Sequence, residues 1–357
     1  MKRIFSLLLV FVLFLSTTML MVSCGDASKG LVFESNGDGT CTVRMDGSSR
    51  LFGTPGVDLY TGELVIPETS PEGDRVTSID AGGFIDDRGL TSIIIPDSVT
   101  EIGSDAFRGC TGLTNLIIPD SVISIGGNAF EECNGLEFNE YDGMRYFGKA
   151  LITPLDKTKS AYKISDNTKI ICGEAFAECE NLTSITIPNG VISVGNHAFF
   201  ECAALTAVKI SDSVISIGDS AFAYCRALTA ITIPDSVISI GDYAFSDCRA
   251  LTAITIPDSV TSIGDGAFSD CRALTAITIP DSVTSIGNRA FQNCSNLTSI
   301  IIPNSVTSIG EFAFYDCYSF TDVYFTGTEQ EWAAISVGAN NDPLLNATIH
   351  YNYVLEE

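Results

Sequence analysis

Cysteines recur along the chain at a fixed interval, and thiols at a fixed interval could form disulfides, ligate a metal or act as nucleophiles. The interval is 23 residues with one gap of 46, along Cys110, Cys133, Cys179, Cys202, Cys225, Cys248, Cys271, Cys294 and Cys317. Neighbouring thiols one repeat apart could reach each other as disulfides if the chain is exported. A cysteine at the same inward position of every repeat is more simply a small buried hydrophobic side chain. A ladder of single thiols also lacks the four-ligand cage of a zinc site.

An acidic column follows the recurring proline and raises the question of calcium. Its members are Asp97, Asp120, Asp212, Asp235, Asp258 and Asp281. Stacked carboxylates can surround Ca²⁺, but the glycine-rich calcium-binding repeat motif is absent. An aspartate after proline ordinarily forms a turn with its own backbone. We therefore expect turn residues here and no metal site.

Groups for acid–base or nucleophilic catalysis are sparse. The two histidines are His197 and His350. His197 stands in a variable column of the repeat, which favours an exposed and incidental side chain. No Ser/His/Asp or Cys/His set can be assembled with specificity, and Gly126-Gly127 resembles a turn rather than a phosphate loop. The sequence predicts no enzyme and no cofactor.

The elements that carry these columns follow from one repeat unit, Leu251 to Ala273, which reads LTAITIPDSVTSIGDGAFSDCRA. Leu251, Ile254 and Ile256 have the spacing of an inward-facing strand, and the following proline lacks the N–H that would extend it. Val260 and Ile263 indicate a second, shorter extended stretch. The spacing of Ala267, Phe268 and Cys271 predicts a 3₁₀ or short helical turn that closes the coil.

A unit of this kind cannot bury enough apolar surface to fold alone, so successive units must stack. The sequence therefore predicts a mainly β repeat solenoid with a 23-residue period. Its coil is right-handed and consists of short parallel β-strands joined by 3₁₀ or short helical turns.

The predicted organisation places about eleven rungs between two caps. We predict an N-terminal cap at 31–58, where Asn36-Gly37-Asp38-Gly39 signals a hairpin, the solenoid at 59–319 and a C-terminal cap at 320–357. Within the solenoid, residues 136–158 form a divergent rung with an aromatic-rich loop or hairpin. The 23-residue phase continues through this rung, which predicts one continuous array.

The N-terminus predicts export. A basic start precedes an apolar run, and Ser23-Cys24 then resembles the cleavage site of a bacterial lipoprotein. We expect a signal peptide at 1–23, lipidation of Cys24 and a polar tether at 24–30. Plain secretion and an uncleaved membrane anchor are the alternatives. Each of them places the remaining chain outside the cytoplasm, at the cell envelope or surface or secreted.

The net charge restricts the partners. The chain carries 44 acidic and 19 basic residues, a formal charge of −25, which argues against nucleic acid and anionic membrane surfaces as ligands. We expect a monomer whose only membrane contact is the N-terminal lipid.

The recurring IPDSVxSIGxxAFxxC string, the FNEYDG segment at 138–143 and the VYFTGTEQEW and ATIHYNY strings from Val323 to Tyr353 together resemble the BspA-like leucine-rich-repeat family. The resemblance covers nearly the whole chain after the signal peptide. It implies a bacterial or protist surface protein that attaches to host matrix proteins or to other bacterial surfaces. The ligand varies among members and does not transfer.

The exposed side of the first strand is the predicted binding face, because extended repeat faces bind macromolecules. Threonine also suits exposed strand positions for structural reasons, so a spacer or scaffold without a ligand is the alternative. Arg226, Arg249 and Arg272 form a basic stripe that either makes a contact or balances nearby aspartates. The predicted face consists of Thr183, Thr186, Thr206, Lys209, Thr229, Thr232, Thr252, Thr255, Thr275 and Thr278.

Overall fold

The computed structural model describes residues 30–46 and 61–354. The predicted signal peptide, Cys24, residues 24–29 of the tether and residues 47–58 of the predicted N-terminal cap lie outside the described residues. Within the described residues, no helix has the length and apolar character needed to cross a membrane.

The chain forms a coil of about twelve turns, close to the predicted eleven rungs. An N-terminal pair of strands, β1 (Leu31–Ser35) and β2 (Thr40–Met45), starts it. Each regular turn then has a first and a second strand. The first strands are β3 (Gly62–Val65), β5 (Leu90–Ile94), β7 (Asn115–Ile117), β13 (Ser184–Thr186), β15 (Ala207–Lys209), β17 (Ala230–Thr232), β19 (Ala253–Thr255), β21 (Ala276–Thr278), β23 (Ser299–Ile302), β25 (Asp322–Phe325) and β27 (Thr348–His350).

The second strands are β4 (Arg75–Ile79), β6 (Glu101–Ile102), β8 (Ser124–Ile125), β12 (Ile170–Ile171), β14 (Ser193–Val194), β16 (Ser216–Ile217), β18 (Ser239–Ile240), β20 (Ser262–Ile263), β22 (Ser285–Ile286), β24 (Ser308–Ile309) and β26 (Ser336–Val337). The second strands after β4 are shorter, with two residues each. The remaining elements are β9 (Asn139–Tyr141), β10 (Met144–Phe147), β11 (Ala150–Pro154), α1 (Glu329–Ala334) and α2 (Asp342–Leu345).

Stacking is parallel and in register with the sequence repeat. Ile231 pairs with Ile254 in the first strands, and Ile263 pairs with Ile286 in the second strands. Each partner lies 23 residues further along the chain, so one 23-residue repeat of the sequence forms one turn of the coil. Leu251, Ile254 and Ile256 are buried as their spacing predicts.

The third side of each turn is a run of tight turns. The Ala267 N–H donates to the Gly264 carbonyl at 3.3 Å, and the Cys271 N–H donates to the Phe268 carbonyl at 3.2 Å. These bonds join residues three apart, which is the 3₁₀ spacing predicted. Left-handed residues at Gly266 and Asp270 interrupt them, so in the described chain continuous helix is confined to α1 and α2.

A ladder of stacked phenylalanines fills the core on this side. Phe222, Phe245 and Phe268 are fully buried, with ring centroids 5.6 and 5.7 Å apart and nearly parallel planes. Offset stacking of this kind stabilises beyond simple area burial. Each turn thus supplies half of its neighbour's core, which explains why a single unit cannot fold.

Residues 136–158 interrupt this stacking. Strands β9, β10 and β11 fold back as an antiparallel unit whose last strand pairs in parallel with β12. On the third side the flanking turns meet directly, because the Gly173 N–H donates to the Ile125 carbonyl at 2.8 Å and the Asn128 amide donates to Glu174 at 2.9 Å. The core divides here into two clusters of buried residues.

The ends of the coil are closed in different ways. Asn36 to Gly39 joins β1 and β2 in an antiparallel hairpin, as the Asn-Gly-Asp-Gly string predicts. At the other end, the buried Asn341 side chain accepts the Phe314 N–H at 3.0 Å. In inner turns that N–H goes to the alanine carbonyl of the next turn, as from Phe291 to Ala313. Asn341 therefore replaces a missing turn.

Candidate protein-binding face

All ten residues of the predicted binding face are exposed, five as the last residues of first strands and five directly before those strands. They fall into two columns that run along the coil. The first column comprises Thr183, Thr206, Thr229, Thr252 and Thr275, and the second comprises Thr186, Lys209, Thr232, Thr255 and Thr278. We call the exposed surface made by both columns the strand face.

The first column is a hydrogen-bonded ladder. The Thr206 hydroxyl donates to the Thr183 carbonyl at 3.0 Å, and the Thr252 hydroxyl donates to the Thr229 carbonyl at 3.2 Å. These hydroxyls link one turn to the turn before it. Their structural role is therefore visible in the molecule, and it uses their single donor.

The second column leaves its side chains open to solvent. Thr186 pairs with Lys209 across the strands, Lys209 with Thr232, and Thr232 with Thr255. Within the described residues, the side chains of this column have no hydrogen-bond partner. The hydroxyls and the ammonium group are therefore available to a ligand without breaking any bond of the solenoid.

The same column changes character towards the N-terminus. Val65, Ile94 and Ile117 occupy it on β3, β5 and β7, in register with one another. Their exposed fractions rise from 40% to 48% to 76%. An aliphatic strip thus replaces the polar strip of the later turns.

The cysteine column is buried and reduced in the described chain. The Cys248 thiol donates to the Phe222 carbonyl at 3.2 Å, and every other thiol of the ladder except Cys179 repeats this bond. Burial raises the pKa of the Cys133 thiol to about 12 and of the Cys179 thiol to about 11. A thiol of such high pKa is a poor nucleophile, so the column serves packing.

The aspartates after proline are exposed. One of them, Asp120, accepts a hydrogen bond from Lys149 at 2.7 Å, and this bond lowers the pKa of its carboxyl group. Among the described residues, no group of three or more His, Cys, Asp or Glu side chains has the arrangement of a metal site.

A further column of polar residues, separate from both columns of the strand face, was not predicted from the sequence. The Asp219 carboxylate accepts the backbone N–H of Asp242 at 2.8 Å, and the Asp242 carboxylate accepts that of Asp265 at 2.7 Å. Asn196 and Asn288 continue this ladder at its two ends. We call this series of side-chain-to-backbone bonds the Asx ladder. The available signal was the recurrence of Asp or Asn directly after the repeat glycine.

The variable column that contains His197 has a left-handed backbone. Its members have φ between 52° and 58°, and they are Asp105, Asn128, Glu174, His197, Ser220, Tyr243, Gly266, Arg289 and Phe312. In this conformation the His197 N–H donates to the Asp219 carbonyl of the next turn at 2.8 Å. His197 is half-buried and its ring contacts Phe200 edge-on at 5.4 Å.

The arginine stripe is paired with neighbouring carboxylates. Arg226 and Arg249 contact Asp247 at 3.1 and 2.9 Å, and Arg272 contacts Asp270 at 2.7 Å. Of the two readings left open by the sequence, balancing of nearby aspartates is the one with contacts in the structure. The second histidine, His350, bonds Asp322 at 2.7 Å and thereby lowers the pKa of that carboxyl group.

Comparison with known proteins gives a consistent picture. Six copies of the BspA type leucine-rich repeat region match residues 77–152, 156–272 and 215–334. No curated protein matches significantly.

Among solved structures, a leucine-rich repeat protein from Bacteroides ovatus is 28% identical, with 92% of this chain and 78% of that chain covered and a TM-score of 0.44. A leucine-rich cell surface protein from Faecalibacterium prausnitzii is 27% identical, with 88% and 97% covered and a TM-score of 0.31. A leucine-rich repeat protein of T. pallidum is 24% identical, with 63% and 89% covered and a TM-score of 0.30.

Proposed function

Because the chain belongs to the BspA-type leucine-rich repeat family, we propose that it is a surface-exposed protein-binding module. The family suggests a protein-interaction role and a location outside the cytoplasm. It consists of repeat proteins that are not enzymes, and the proposal assigns the chain no catalytic activity.

The observation that carries the proposal is the open second column of the strand face. Thr232, Thr255 and Thr278 present hydroxyls at equivalent positions of successive turns, and Lys209 adds a positive charge. Rigid strands hold these groups in place, so little entropy would be lost in ordering the site when a partner binds. Extended repeat surfaces of this kind suit macromolecular ligands.

We further propose that the ligand is a host extracellular-matrix protein or a protein of another bacterial surface, and that the chain acts in attachment. A lipid on Cys24 would hold the solenoid at the envelope and leave the strand face free. Replacement of Cys24 by alanine should then abolish incorporation of labelled palmitate and release the chain from the membrane fraction. Retention in the membrane without palmitate would instead indicate an uncleaved anchor.

The binding test uses the purified full-length chain against immobilised fibronectin, laminin and collagen and against intact bacteria. The double variant Thr232→Lys/Thr255→Lys should weaken binding by about tenfold or more, because two bulky cations replace the open hydroxyls. The matched control is Thr261→Lys/Thr284→Lys, which adds the same charges directly before the second strands β20 and β22, where both threonines are also exposed. Equal loss in both variants would contradict a role for the strand face.

A structural spacer is the second candidate function. The near-identity of the turns from Leu228 to Ala273 and the internal use of the first threonine column favour it. If the chain binds nothing in these assays while remaining folded and envelope-attached, the spacer role is the better account.

A further inference from the structure

We propose that the interruption of the strand face beside β7 is a docking site for an extended, acidic segment of a partner protein, which adds a strand to the edge of β7. The inference rests on the proposed protein-binding function and gives that function a second site and a partner chemistry. It is separate from the polar columns of the strand face.

The edge of β7 is open. In the described chain β7 pairs with β5 and is the last strand of its sheet, which has the order β3-β5-β7. The next first strand, β13, begins a different sheet. Where the face is complete, the residue after the strand donates its N–H forward, as Ile187 does to the Lys209 carbonyl at 2.8 Å. Ile118 is the equivalent residue beside β7, and no strand of the described chain pairs with β7 on that side.

A groove lies against this edge. Its volume is about 790 Å³, and it separates the turn that carries β7 from the β10–β11 hairpin. Leu116, Val122, Phe147, Ile170 and Ile192 contribute its apolar lining. Side chains of an added strand would alternate between this groove and the solvent, so every second residue of the partner should be apolar.

The aliphatic strip leads up to the same edge. Val65, Ile94 and Ile117 lie on three neighbouring strands, and the most exposed of them is on the open strand. The unpaired main-chain groups of an edge strand can pair with a further strand, and β7 is a short edge of three residues. Here an exposed isoleucine stands at the edge, so a fourth strand with a β-branched residue would extend the strip.

Charge selects an acidic occupant. Lys149 and Lys169 line the groove, and one acidic residue, Asp120, lines it with them. Lys149 contacts Asp120 at 2.7 Å, which leaves Lys169 to attract a carboxylate. The chain as a whole is strongly acidic, whereas the charged side chains that line the groove carry a net positive charge. The edge thus offers main-chain hydrogen bonds, alternate apolar contacts and a local positive charge, which together define strand addition by an acidic peptide.

The test selects phage-displayed random decapeptides on the immobilised full-length chain, purified in detergent. Enriched peptides should alternate β-branched with other residues and carry Asp or Glu. A synthesised enriched peptide should bind Lys149→Glu/Lys169→Glu about tenfold more weakly or worse, since charge reversal repels it. Lys159→Glu/Lys163→Glu is the matched control, because it makes the same change in net charge at exposed lysines outside the groove and outside the strand face, and it should bind within about twofold.

A second pair of variants tests the edge itself. Ile117→Asp should weaken peptide binding by about tenfold, whereas Ile238→Asp, at an isoleucine 56% exposed on the second strands, should leave it unchanged. Circular dichroism of each variant checks that the fold is kept. Absence of enriched peptides, or equal affinity for the groove variants and the unmodified chain, would overturn the proposal. So would a concentration-dependent dimer that Ile117→Asp abolishes, because the occupant would then be a second copy.

The two proposals fail in different ways. If matrix proteins or bacteria bind and the strand-face variants abolish that binding, the proposed function stands even when no peptide is selected. If peptides bind the groove while Thr232→Lys/Thr255→Lys has no effect on any ligand, the groove stands without the strand face.

Discussion

The β9–β11 insertion separates an earlier group of turns, residues 61–135, from a later group, residues 159–325. The two groups have the same buried residues at equivalent positions but different exposed residues. Phe107 in the first group and Phe245 in the second are both fully buried in phenylalanine stacks. On the strand face, Ile94 and Ile117 stand where Thr232 and Thr255 stand later. Because inward and outward columns do not touch, the core of a solenoid can stay constant while its surface changes turn by turn.

The two groups also differ in how their turns are tied together. The Asx ladder through Asp219, Asp242 and Asp265 belongs to the later turns. The equivalent positions in the earlier turns are Ser104 and Gly127, which have no carboxylate to offer. The later turns also hold the longer series of buried thiols. Each difference predicts a distinct response to perturbation.

Alkaline pH should separate the two groups most strongly. Burial raises the folded-state pKa of each thiol above its ordinary value of 9.0, to about 11 for Cys179. The unfolded chain therefore releases these protons first, so the stabilisation is complete below pH 9 and is lost as pH rises through about 11. Each thiol contributes about 1.4 kcal/mol per pH unit in this window. The later turns contain seven such thiols, at Cys179, Cys202, Cys225, Cys248, Cys271, Cys294 and Cys317.

Hydrogen exchange between pH 8 and 11, corrected for the intrinsic exchange rate, would measure this loss. The later turns should lose protection more steeply than the earlier turns, which hold Cys110 and Cys133 in the column. Cys248→Ala should reduce the slope by the share of one thiol. A stability that stays constant up to pH 11 would contradict the account.

Removal of a core ring should act within its own group of turns. Phe107→Ala and Phe245→Ala should each cost about 3–5 kcal/mol, because a large buried side chain is lost and its neighbours cannot fully collapse. The buried residues divide into two clusters at the insertion and the turn that follows it. Urea unfolding monitored by hydrogen exchange should therefore show Phe107→Ala weakening residues 61–135 with little change beyond residue 182. Equal weakening of both groups would mean that the insertion transmits cooperativity fully.

The Asx ladder gives a smaller effect confined to the later turns. Asp242→Ala should destabilise the chain by about 1 kcal/mol, because the backbone N–H of Asp265 loses its acceptor. Asp242→Asn should be close to neutral, since the Asn196 and Asn288 side chains accept the same bond elsewhere in the ladder, from the backbone N–H groups of Asp219 and Glu311. Thermal unfolding of the two variants would compare them. An equal loss in both would show that the negative charge matters and the hydrogen bond does not.

Replacement of one exposed residue of the second strand-face column should have the smallest effect on stability. Ile117→Thr makes β7 resemble the later strands and should change the free energy of unfolding by less than about 0.5 kcal/mol, since the side chain is mostly exposed. Binding of a hydrophobic dye to the native chain should fall. A large loss of stability would instead mean that Ile117 packs against the insertion.

The regular part of the fold was predictable because its signals repeat. Leu251, Ile254, Ile256 and Phe268 occupy the inward positions that their spacing predicts. The threonines of the strand face are exposed for the same reason. Each position recurs in every turn, so an inward or outward assignment that is ambiguous in one turn is settled by the equivalent residues of the others.

The rest depends on contacts between turns that no single unit reveals. Residues 136–158 keep the 23-residue phase, yet β9 to β11 fold back, because phase counts residues and does not say which strand they pair with. The hydroxyl bond from Thr252 to the Thr229 carbonyl likewise needs the distance between turns. The groove beside β7 follows from the insertion and was invisible for the same reason.

The left-handed column has a consequence for how such chains diversify. Its backbone is fixed by the bond that each residue makes to the next turn, and positive φ costs a non-glycine residue about 1–2 kcal/mol, more for a β-branched side chain. Histidine, tyrosine, arginine and phenylalanine all occur there at the same φ. Side chains without a branch at Cβ therefore exchange at this site at little folding cost. Each added turn thus brings one variable residue on the same backbone. A longer array can therefore present a larger number of different surfaces.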